Sequence, residues 1–225
     1  MPIMPPIARI MPFSKLLHWV EVWYAIIIVI ICILIIQKTK ELYLLTNHKG
    51  IKYFRNTFIF FAIAYTLQII FPFTRMILGV DLFISRPLVG FLLLYVGTMA
   101  VLSLTYSVLY KHWKHLKPIY LHLIAIGIAA ATINTRGRML AIAIQAILLI
   151  YAVLTSYIDN IRKQNKIYLI YLLLFAIWIV NTLAFTLPRF LVPAKIALYL
   201  VAIIFFLIIL TKVVQRTTPK NDKET

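Results

Sequence analysis

Side chains that could do chemistry are few in this sequence and stand mostly at the ends of long apolar blocks. Only 6 Asp and Glu residues are set against 23 Lys and Arg. No two carboxylates fall inside the apolar blocks, although metal-assisted or acid–base chemistry within a membrane needs such groups at depth. His112, His115 and His122 are close in sequence, but a metal site would also want an acidic or thiol ligand. We therefore predict a non-enzymatic protein without a metal.

Glu21 is the one carboxylate expected near hydrocarbon, about one helical turn inside the first apolar block. A carboxylate buried there needs a partner. We expect that partner among the arginines on the same side of the membrane. These are Arg75, Arg86, Arg136, Arg138 and Arg189. A structural salt bridge, a ligand-contacting or proton-carrying group and plain solvent exposure are the three interpretations of Glu21.

The same arginines leave a positive surplus on a side where Lys and Arg are normally depleted. Binding to the phosphate of outer-leaflet lipids is the simpler explanation. An outer vestibule that binds an anion, built from Glu21 and these arginines, is the second. They are also the only candidate set for a third hypothesis, an enzyme that acts on lipid.

The longest connection, QKTKELYLLTNHKGIKYFR, follows the first apolar block. Its sequence predicts that the first helix continues past the membrane surface and turns at Gly50. We expect His48, Lys49, Lys52 and Arg55 to contact anionic lipid headgroups or a cytoplasmic partner.

The stretch His48-Lys49-Gly50-Ile51-Lys52-Tyr53-Phe54-Arg55, leading into Asn56, resembles a feature of small archaeal seven-helix membrane proteins of unknown function. It is also similar to the seven-helix sensory modules that precede bacterial histidine kinases. Those modules are fused to signalling domains, whereas this chain ends in a short polar tail. The resemblance therefore implies a sensor whose output passes to a separate protein.

Two other seven-helix families are unlike this sequence. A retinal-binding rhodopsin needs a lysine in the middle of its last helix and a carboxylate opposite it. Lys195 and Lys212 instead stand at the two ends of the last apolar block. The single cysteine, Cys32, excludes the extracellular disulfide of a typical G-protein-coupled receptor. No cofactor is predicted.

The elements that must position these residues are membrane helices. Hydrophobic residues make up 63% of the 225 positions and charged residues 13%, too apolar for a soluble domain. The apolar blocks are close to the roughly 20 residues that cross a bilayer as a helix. The predicted helices are His18–Ile36, Asn56–Phe73, Pro87–Tyr110, Pro118–Ile133, Met139–Tyr157, Ile167–Leu187 and Ala194–Thr211. We predict an all-α, polytopic seven-helix bundle over 18–211, an N-terminal extension over 1–17 and a cytoplasmic polar tail over 212–225.

Helix boundaries and interior contacts follow from other residue types. Prolines, Pro72 among them, are expected at segment ends, where a missing N–H costs least. Aromatic residues near segment ends, Tyr24 among them, are expected at headgroup depth. Trp178 is predicted to pack inside the bundle. Polar residues at membrane depth are expected to bond across helices or to backbone carbonyls. They are Gln68, Thr98, Ser103, Thr105, His122, Gln145, Thr155, Ser156 and Asn181.

The distribution of Lys and Arg sets the orientation. The richer set is Lys38, Lys40, Lys49, Lys52, Arg55, Lys111, Lys114, Lys117, Arg162, Lys163, Lys166, Lys212, Arg216, Lys220 and Lys223. The poorer set is Arg9, Lys15, Arg75, Arg86, Arg136, Arg138, Arg189 and Lys195. The richer side is cytoplasmic, so we predict a multi-pass protein of the cell membrane with its N-terminus outside and its C-terminus inside. If the fourth block did not cross, the two sides would be almost equal. Because the charged residues are distributed among several short loops, we predict that they contact lipid headgroups and not nucleic acid.

One internal similarity suggests a parallel repeat. FAIAYTLQIIFPFTR from Phe61 aligns with FAIWIVNTLAFTLPR from Phe175, and the same register pairs Lys52 with Lys166 and Arg75 with Arg189. Such a duplication would relate helices one to three to helices five to seven, with the fourth as a linker. This plan resembles the sugar transporters called SWEETs, although their Pro-Gln motifs and mid-helix prolines are missing here.

We therefore predict a non-enzymatic seven-helix membrane protein of sensory or scaffold type that signals to a separate cytoplasmic protein. A small transporter of SWEET-like, parallel-repeat design is the alternative. A water-accessible cavity at mid-membrane would favour transport, and a sealed core would favour signalling or scaffolding.

Overall fold

The structure, a computed structural model, consists of helices joined by short connections. It describes residues 7–78, 85–110, 117–134, 138–163, 168–188 and 191–217. Within these ranges there are seven helices and no strand. They are α1 (Ile7–Thr46), α2 (Lys49–Leu78), α3 (Ser85–Leu109), α4 (Pro118–Asn134), α5 (Arg138–Lys163), α6 (Tyr168–Thr186) and α7 (Val192–Thr217). The prediction of an all-α protein with seven helices is confirmed. α1 begins within the predicted N-terminal extension, and α7 ends within the predicted tail.

Six of the described helices are long and apolar enough to cross a membrane. Their candidate spans are Leu17–Thr46, Lys49–Phe71, Pro87–Leu109, Met139–Asp159, Tyr168–Thr186 and Val192–Arg216. The seventh helix, α4, is apolar but has only 17 residues, or about 25 Å at 1.5 Å per residue. Helices of this length and composition satisfy the hydrogen bonds of their own peptide groups and so suit a lipid environment. The chain is a multi-pass membrane protein.

The helices pack as a ring with one helix outside it. Neighbours follow the order α1, α2, α3, α5, α6 and α7, and α7 closes the ring on α1. α4 packs on the outer side of α3 and touches α5 only slightly. The interface of α3 and α4 is a separate apolar cluster that contains Met99, Leu102 and Leu121.

A single apolar core fills the interior of the ring. Ile28, Phe58, Leu174 and Phe206 are among its fully buried side chains and come from four different helices. Large aliphatic side chains also cover the outward faces of the helices, including Ile147 on α5, which is well exposed. Because both the interior and the outward faces are apolar, the ring matches a lipid surrounding rather than water.

Prolines mark most of the helix boundaries, as predicted. Pro118 is the first residue of α4, Pro193 is the second of α7, and Pro188 follows the end of α6. These positions need no backbone N–H. The prediction for Pro72 was wrong, because α2 continues to Leu78 and encloses it. The candidate span ends just before it, at Phe71, so the missing N–H falls near the end of the span.

The connection between α1 and α2 is only two residues long. As predicted, α1 runs on past the first apolar block, but it ends at Thr46 and the turn lies at Asn47, not at Gly50. Asn47 has a φ of 47° and its N–H bonds to the carbonyl of Tyr43 at 2.8 Å. Asparagine tolerates this left-handed conformation well, and it replaces the expected glycine as the end of the helix.

Gly50 serves another purpose, the close approach of α2 to α3. A Cβ atom at Gly50 would lie 2.9 Å from the backbone oxygen of Ser107 and 3.1 Å from the His48 ring. Any side chain there would push the two helices apart.

We expect Gly50→Ala to lower the melting temperature of the purified protein by about 2–12 °C, since overpacking of this kind costs about 1–3 kcal/mol. Gly97→Ala is the matched control because a Cβ there meets nothing within 4 Å. Alanine is the better helix former, so the control should keep or raise the melting temperature. Equal melting temperatures for the two variants would contradict the close approach of α2 and α3.

Candidate functional site

The polar side chains in the ring interior converge on α6. Tyr171, Trp178 and Asn181 lie on one face of this helix, because their spacing follows its repeat. Each of them forms hydrogen bonds with a different set of neighbouring helices. Asn181 reaches α1 and α2, Trp178 reaches α5, and Tyr171 reaches α3. We call these three sets of contacts the outer, middle and inner levels of the interior network.

The outer level is a triangle of Tyr24, Tyr65 and Asn181. The Tyr24 hydroxyl donates to Asn181 Oδ1 at 2.6 Å, and Asn181 Nδ2 donates to the Tyr65 hydroxyl at 3.0 Å. The two tyrosine hydroxyls are 3.2 Å apart. Both tyrosines are buried, and their rings meet edge to face at 5.7 Å between centroids.

The direction of every hydrogen bond in this triangle follows from counting protons. Tyr24 has one hydroxyl proton, and the amide oxygen of Asn181 requires it. The bond between the two hydroxyls must therefore be donated by Tyr65. The triangle is a closed cycle in which Tyr24 donates to Asn181, Asn181 to Tyr65 and Tyr65 to Tyr24. No hydroxyl proton is left to pass on, so this arrangement holds helices together and does not relay a proton.

Tyr199 of α7 continues the outer level towards Glu21. Its ring stacks on Tyr24, with centroids 4.4 Å apart and 22° between planes. Its hydroxyl donates to Glu21 Oε1 at 3.4 Å, a long hydrogen bond. Glu21 is partly exposed. The carboxylate thus stands where the interior network meets the end of the ring.

The arginines predicted as partners of Glu21 lie outside the described side chains. They are Arg75, Arg86, Arg136, Arg138 and Arg189. The backbones of Arg75, Arg86 and Arg138 belong to α2, α3 and α5. The salt bridge and the anion-binding vestibule stay predictions, and the described partner of Glu21 is Tyr199.

The middle level is a chain of three side chains from three helices. Trp178 Nε1 donates to Gln145 Oε1 at 3.1 Å, and Gln145 Nε2 donates to Thr98 Oγ1 at 3.0 Å. Gln145 and Thr98 are buried. Both polar atoms of the Gln145 amide are therefore satisfied, as a buried amide requires.

The inner level joins α6 to α3. Ser107 donates to the carbonyl of Leu104 at 2.6 Å, so its oxygen accepts the proton of Tyr171 at 2.9 Å. About one helical turn after Ser107, the end of α3 contacts the α1–α2 turn. Tyr110 and His48 share a hydrogen bond and an edge-to-face ring contact there. Gly50 packs on the carbonyl of Ser107 in the same region.

The four basic residues predicted for lipid or partner contact divide into two pairs. Lys49 and Lys52 are exposed. His48 is bonded to Tyr110, and the Arg55 guanidinium lies 5.7 Å from the centre of the Tyr43 ring. Arg55 Nε is buried and has no hydrogen-bond partner. The first pair is free to meet a headgroup or a protein, while the second belongs to the helix junction.

Sequence reasoning identified part of this network. Thr98, Gln145 and Asn181 were expected to bond across helices, and they do. Trp178 lies in the interior, as predicted. Tyr24 was expected to be an interfacial anchor, whereas its side chain is buried against Tyr65 and Asn181. Apolar residues surround α1 on all sides, so its sequence carries no signal for the face that turns inward.

No metal site emerges from the described ranges, in which no three His, Cys, Asp or Glu residues could hold an ion together.

Seven mostly apolar helices with a packed, cross-bonded interior define a small helical membrane protein of the multi-pass class. No known family model matches the sequence, and no solved structure matches the fold. The chain is similar to an uncharacterized protein of Archaeoglobus fulgidus, with 29% identity over 212 residues. That alignment covers 87% of this chain and 92% of the relative. The seven mostly apolar helices and this similarity together fit a small archaeal membrane protein.

We expect Asn181→Leu to lower the melting temperature by about 2–8 °C, because it leaves two buried hydroxyls without their amide partner at a cost of about 1–2 kcal/mol. Gln68→Leu is the control, since Gln68 is exposed on the outside of the ring and should lose nothing. The triple variant Asn181→Leu with Tyr24→Phe and Tyr65→Phe should recover much of the loss, because no polar group is then left unpaired. Additive losses in the triple variant would contradict the closed cycle.

Proposed function

We propose that this protein is a sensory or scaffold protein of the cell membrane with seven crossings and no enzymatic activity, signalling to a separate cytoplasmic protein. The observation that carries the proposal is the bonding of α6 at three levels to four other helices. A ring of helices can report an event at one end only if that end is mechanically tied to the other. The interior network supplies such a tie.

The three levels are spaced along about half of the length of α6. From Tyr171 to Asn181 the helix rises by about 15 Å, half the thickness of the hydrocarbon. The core around these contacts is fully packed by Ile28, Phe58 and Phe206. Packed interiors do not deform continuously. Movement of Asn181 would therefore displace Trp178 and Tyr171 with it, and through Tyr171 it would reach the end of α3.

The orientation follows the charge bias, with the N-terminus outside and the C-terminus in the cytoplasm. On this arrangement Glu21 and Tyr199 stand at the outer end, and Ser107, Tyr171 and the α1–α2 turn stand at the cytoplasmic end. A sensor would then receive its signal near Glu21 and deliver it near His48.

The projecting end of α1 offers a surface for the cytoplasmic partner. The candidate span Leu17–Thr46 has 30 residues, or about 45 Å, which exceeds the roughly 30 Å of hydrocarbon. Leu44 and Leu45 near its end are 72% and 78% exposed. Together with Lys49 and Lys52 they form a surface that is both apolar and basic. Anionic lipid headgroups are the competing partner for this surface.

A small transporter of parallel-repeat design is the second candidate, and the order of helices in the ring favours it. Exchanging α1, α2 and α3 with α5, α6 and α7 leaves every neighbour relation of the ring unchanged. The helix outside the ring, α4, is the one that a three-one-three repeat uses as a linker. The packed interior weighs against this candidate because a substrate path would have to open through it.

Labelling of the native Cys32 separates the two candidates. Cys32 is fully buried in the ring interior, so in a sealed bundle a charged methanethiosulfonate reagent should modify it at less than about one tenth of the rate at an exposed position, because burial denies the reagent access. The control is Leu45→Cys in a Cys32→Ser background, and Ile177→Cys in that background probes the opposite wall. Rapid labelling at either interior position in proteoliposomes would favour the transporter.

The crossing number and orientation can be tested in the same background. We expect Arg136→Cys to react with the charged reagent in intact cells, because seven crossings put it outside, and Lys220→Cys to react only after the membrane is permeabilised. A reversed result, in which Lys220→Cys reacts in intact cells and Arg136→Cys only after permeabilisation, would mean either that α4 does not cross or that the whole bundle is inverted. Lys49→Cys decides between the two, because it stays on the cytoplasmic side only if α4 does not cross.

A further inference from the structure

The ring interior contains an open space beside the first half of α3. Gly97 lies on the interior face of this helix, because it precedes the core residues Val101 and Leu104 by about one and two turns. The other sides of α3 are covered by α2, α4 and α5. Gly97 still keeps accessible surface, and a Cβ atom placed on it would meet nothing within 4 Å. The space at Gly97 is therefore inside the ring and not on its lipid-facing side.

A second wall, α6, opens towards the same interior. Asn181 points into the ring, because it forms hydrogen bonds with Tyr24 of α1 and Tyr65 of α2 and not with the helices that flank α6. It still remains partly accessible. Two turns earlier on the same face, Leu174 is fully buried. The interior face of α6 thus changes from sealed to open along the helix, as that of α3 does at Gly97.

The middle level of the network stands at the closed end of this space. Thr98 follows Gly97 in the chain, and Gln145 joins Thr98 to Trp178 of α6. Gly97 and Trp178 are therefore at about the same height in the ring. Towards the start of α3, Gly90 shares the interior face, is exposed and also leaves its Cβ position free of neighbours within 4 Å. The space is thus a pocket with one open end, which we call the α3–α6 pocket.

The residues around the α3–α6 pocket offer a flat ring and a hydrogen-bond donor without charge. Trp178 is partly accessible, and its ring lies nearly parallel to that of Phe175, with 12° between the planes. Asn181 Nδ2 carries two protons, and Tyr65 accepts one of them. The second proton has no acceptor among the described residues. Gly90 and Gly97 contribute room instead of a side chain.

We propose that the α3–α6 pocket binds a small uncharged molecule with an apolar body and an oxygen atom that accepts a hydrogen bond. The apolar body would lie beside Trp178 in the room left by Gly97, and the oxygen would accept the second proton of Asn181 Nδ2. A charged molecule would lose its hydration without meeting an opposite charge on these residues. This deepens the proposed sensory function by naming the class of ligand, and it rests on that function only for the use made of binding.

A molecule bound in this pocket would contact the interior network at two of its three levels. Trp178 belongs to the middle level and ties α6 to α5, while Asn181 belongs to the outer level and ties α6 to α1 and α2. Binding would therefore bias the position of α6 relative to three other helices. The sealed part of the core, with Val101 and Leu104, separates the pocket from the far end of α3.

Cysteine labelling tests whether the pocket is open. In a Cys32→Ser background in nanodiscs, we expect a charged methanethiosulfonate reagent to modify Gly97→Cys at least about ten times faster than Val101→Cys, because the reagent reaches only the accessible position. Val101→Cys is the matched control, since it lies one turn further along the same face and is buried. Equally slow reaction at the two positions would show that the space is sealed and would overturn the proposal.

Binding is tested with 4-bromoacetophenone, an uncharged ring that carries a carbonyl acceptor and a bromine that quenches tryptophan fluorescence. The protein keeps Trp178 as its one tryptophan, with Trp19→Phe, Trp23→Phe and Trp113→Phe. We expect saturable quenching of Trp178. 1-Bromo-4-ethylbenzene has a similar shape but no acceptor, and it should bind about tenfold more weakly because the hydrogen bond to Asn181 is lost.

The pocket is then filled by Gly97→Leu in the same background. This variant should lose the saturable quenching and keep its melting temperature, because the new side chain enters open space. Gly127→Leu is the control, since Gly127 is exposed on α4 and its Cβ position is equally free, and it should quench as before.

Quenching that does not saturate, or that survives Gly97→Leu unchanged, would overturn the proposal. Equal binding of the two bromo compounds would overturn the assignment of an oxygen acceptor to the ligand. None of these outcomes changes the labelling of the native Cys32 in the sealed bundle. Failure of the pocket and failure of the proposed function can therefore be told apart.

Discussion

Hydrogen bonding without water is the constraint on which this bundle depends. A polar group inside a helical membrane protein has no solvent to satisfy it, so it must find a partner on another helix or on its own backbone. The closed cycle of Tyr24, Tyr65 and Asn181 meets this requirement, because every polar side-chain atom of the three residues has a hydrogen-bond partner. The same requirement accounts for Gln145 between Trp178 and Thr98. Since all of these contacts involve α6 or its neighbours, the polar groups decide how the otherwise interchangeable apolar helices are arranged.

The ring order has consequences for how the molecule can move. α4 lies outside the ring and leaves the interior network untouched, whereas α6 takes part in every level of it. A rigid-body movement of one half of the ring against the other would have to separate α3 from α5 and α7 from α1. The first of these boundaries is crossed by the bond between Thr98 and Gln145, and the second by the stacking of Tyr24 on Tyr199. Rocking of the two halves is thus opposed on both sides, while a shift of α6 along the ring axis is opposed at three heights.

Much of the architecture could be predicted from sequence because the bilayer imposes its own length scale. Apolar blocks of about 20 residues and the prolines beside them gave seven helices, and the structure has seven. The extent of α2 was missed because Pro72 was taken as an end, although a helix near the membrane surface tolerates a missing bond. The turn was assigned to Gly50 rather than Asn47 because glycine is the commoner residue in a left-handed conformation.

The interior network was harder to predict for a physical reason. In water, polarity distinguishes the two faces of a helix, but a helix in lipid is apolar on both, so the inward face of α1 or α6 leaves little periodic trace. Polar residues such as Gln145 and Asn181 identify themselves as interior by the cost of exposing them to lipid. A tyrosine in the sequence does not identify itself as interior, because its amphipathic ring is also favourable at the depth of the lipid headgroups. Lys195 was assigned to a helix end by its position, and only its burial distinguishes it from an ordinary interfacial lysine.

The closed triangle also bears on how the chain is made. Tyr65 and Asn181 are separated by 116 positions, so at roughly 5–20 residues per second the ribosome needs on the order of ten seconds between the two. During that interval α1 and α2 have already entered the membrane as a hairpin, and the two tyrosine hydroxyls have only each other. Insertion of the first helices is therefore completed in a provisional state, and the last two helices convert it into the final one when they arrive from the translocation machinery.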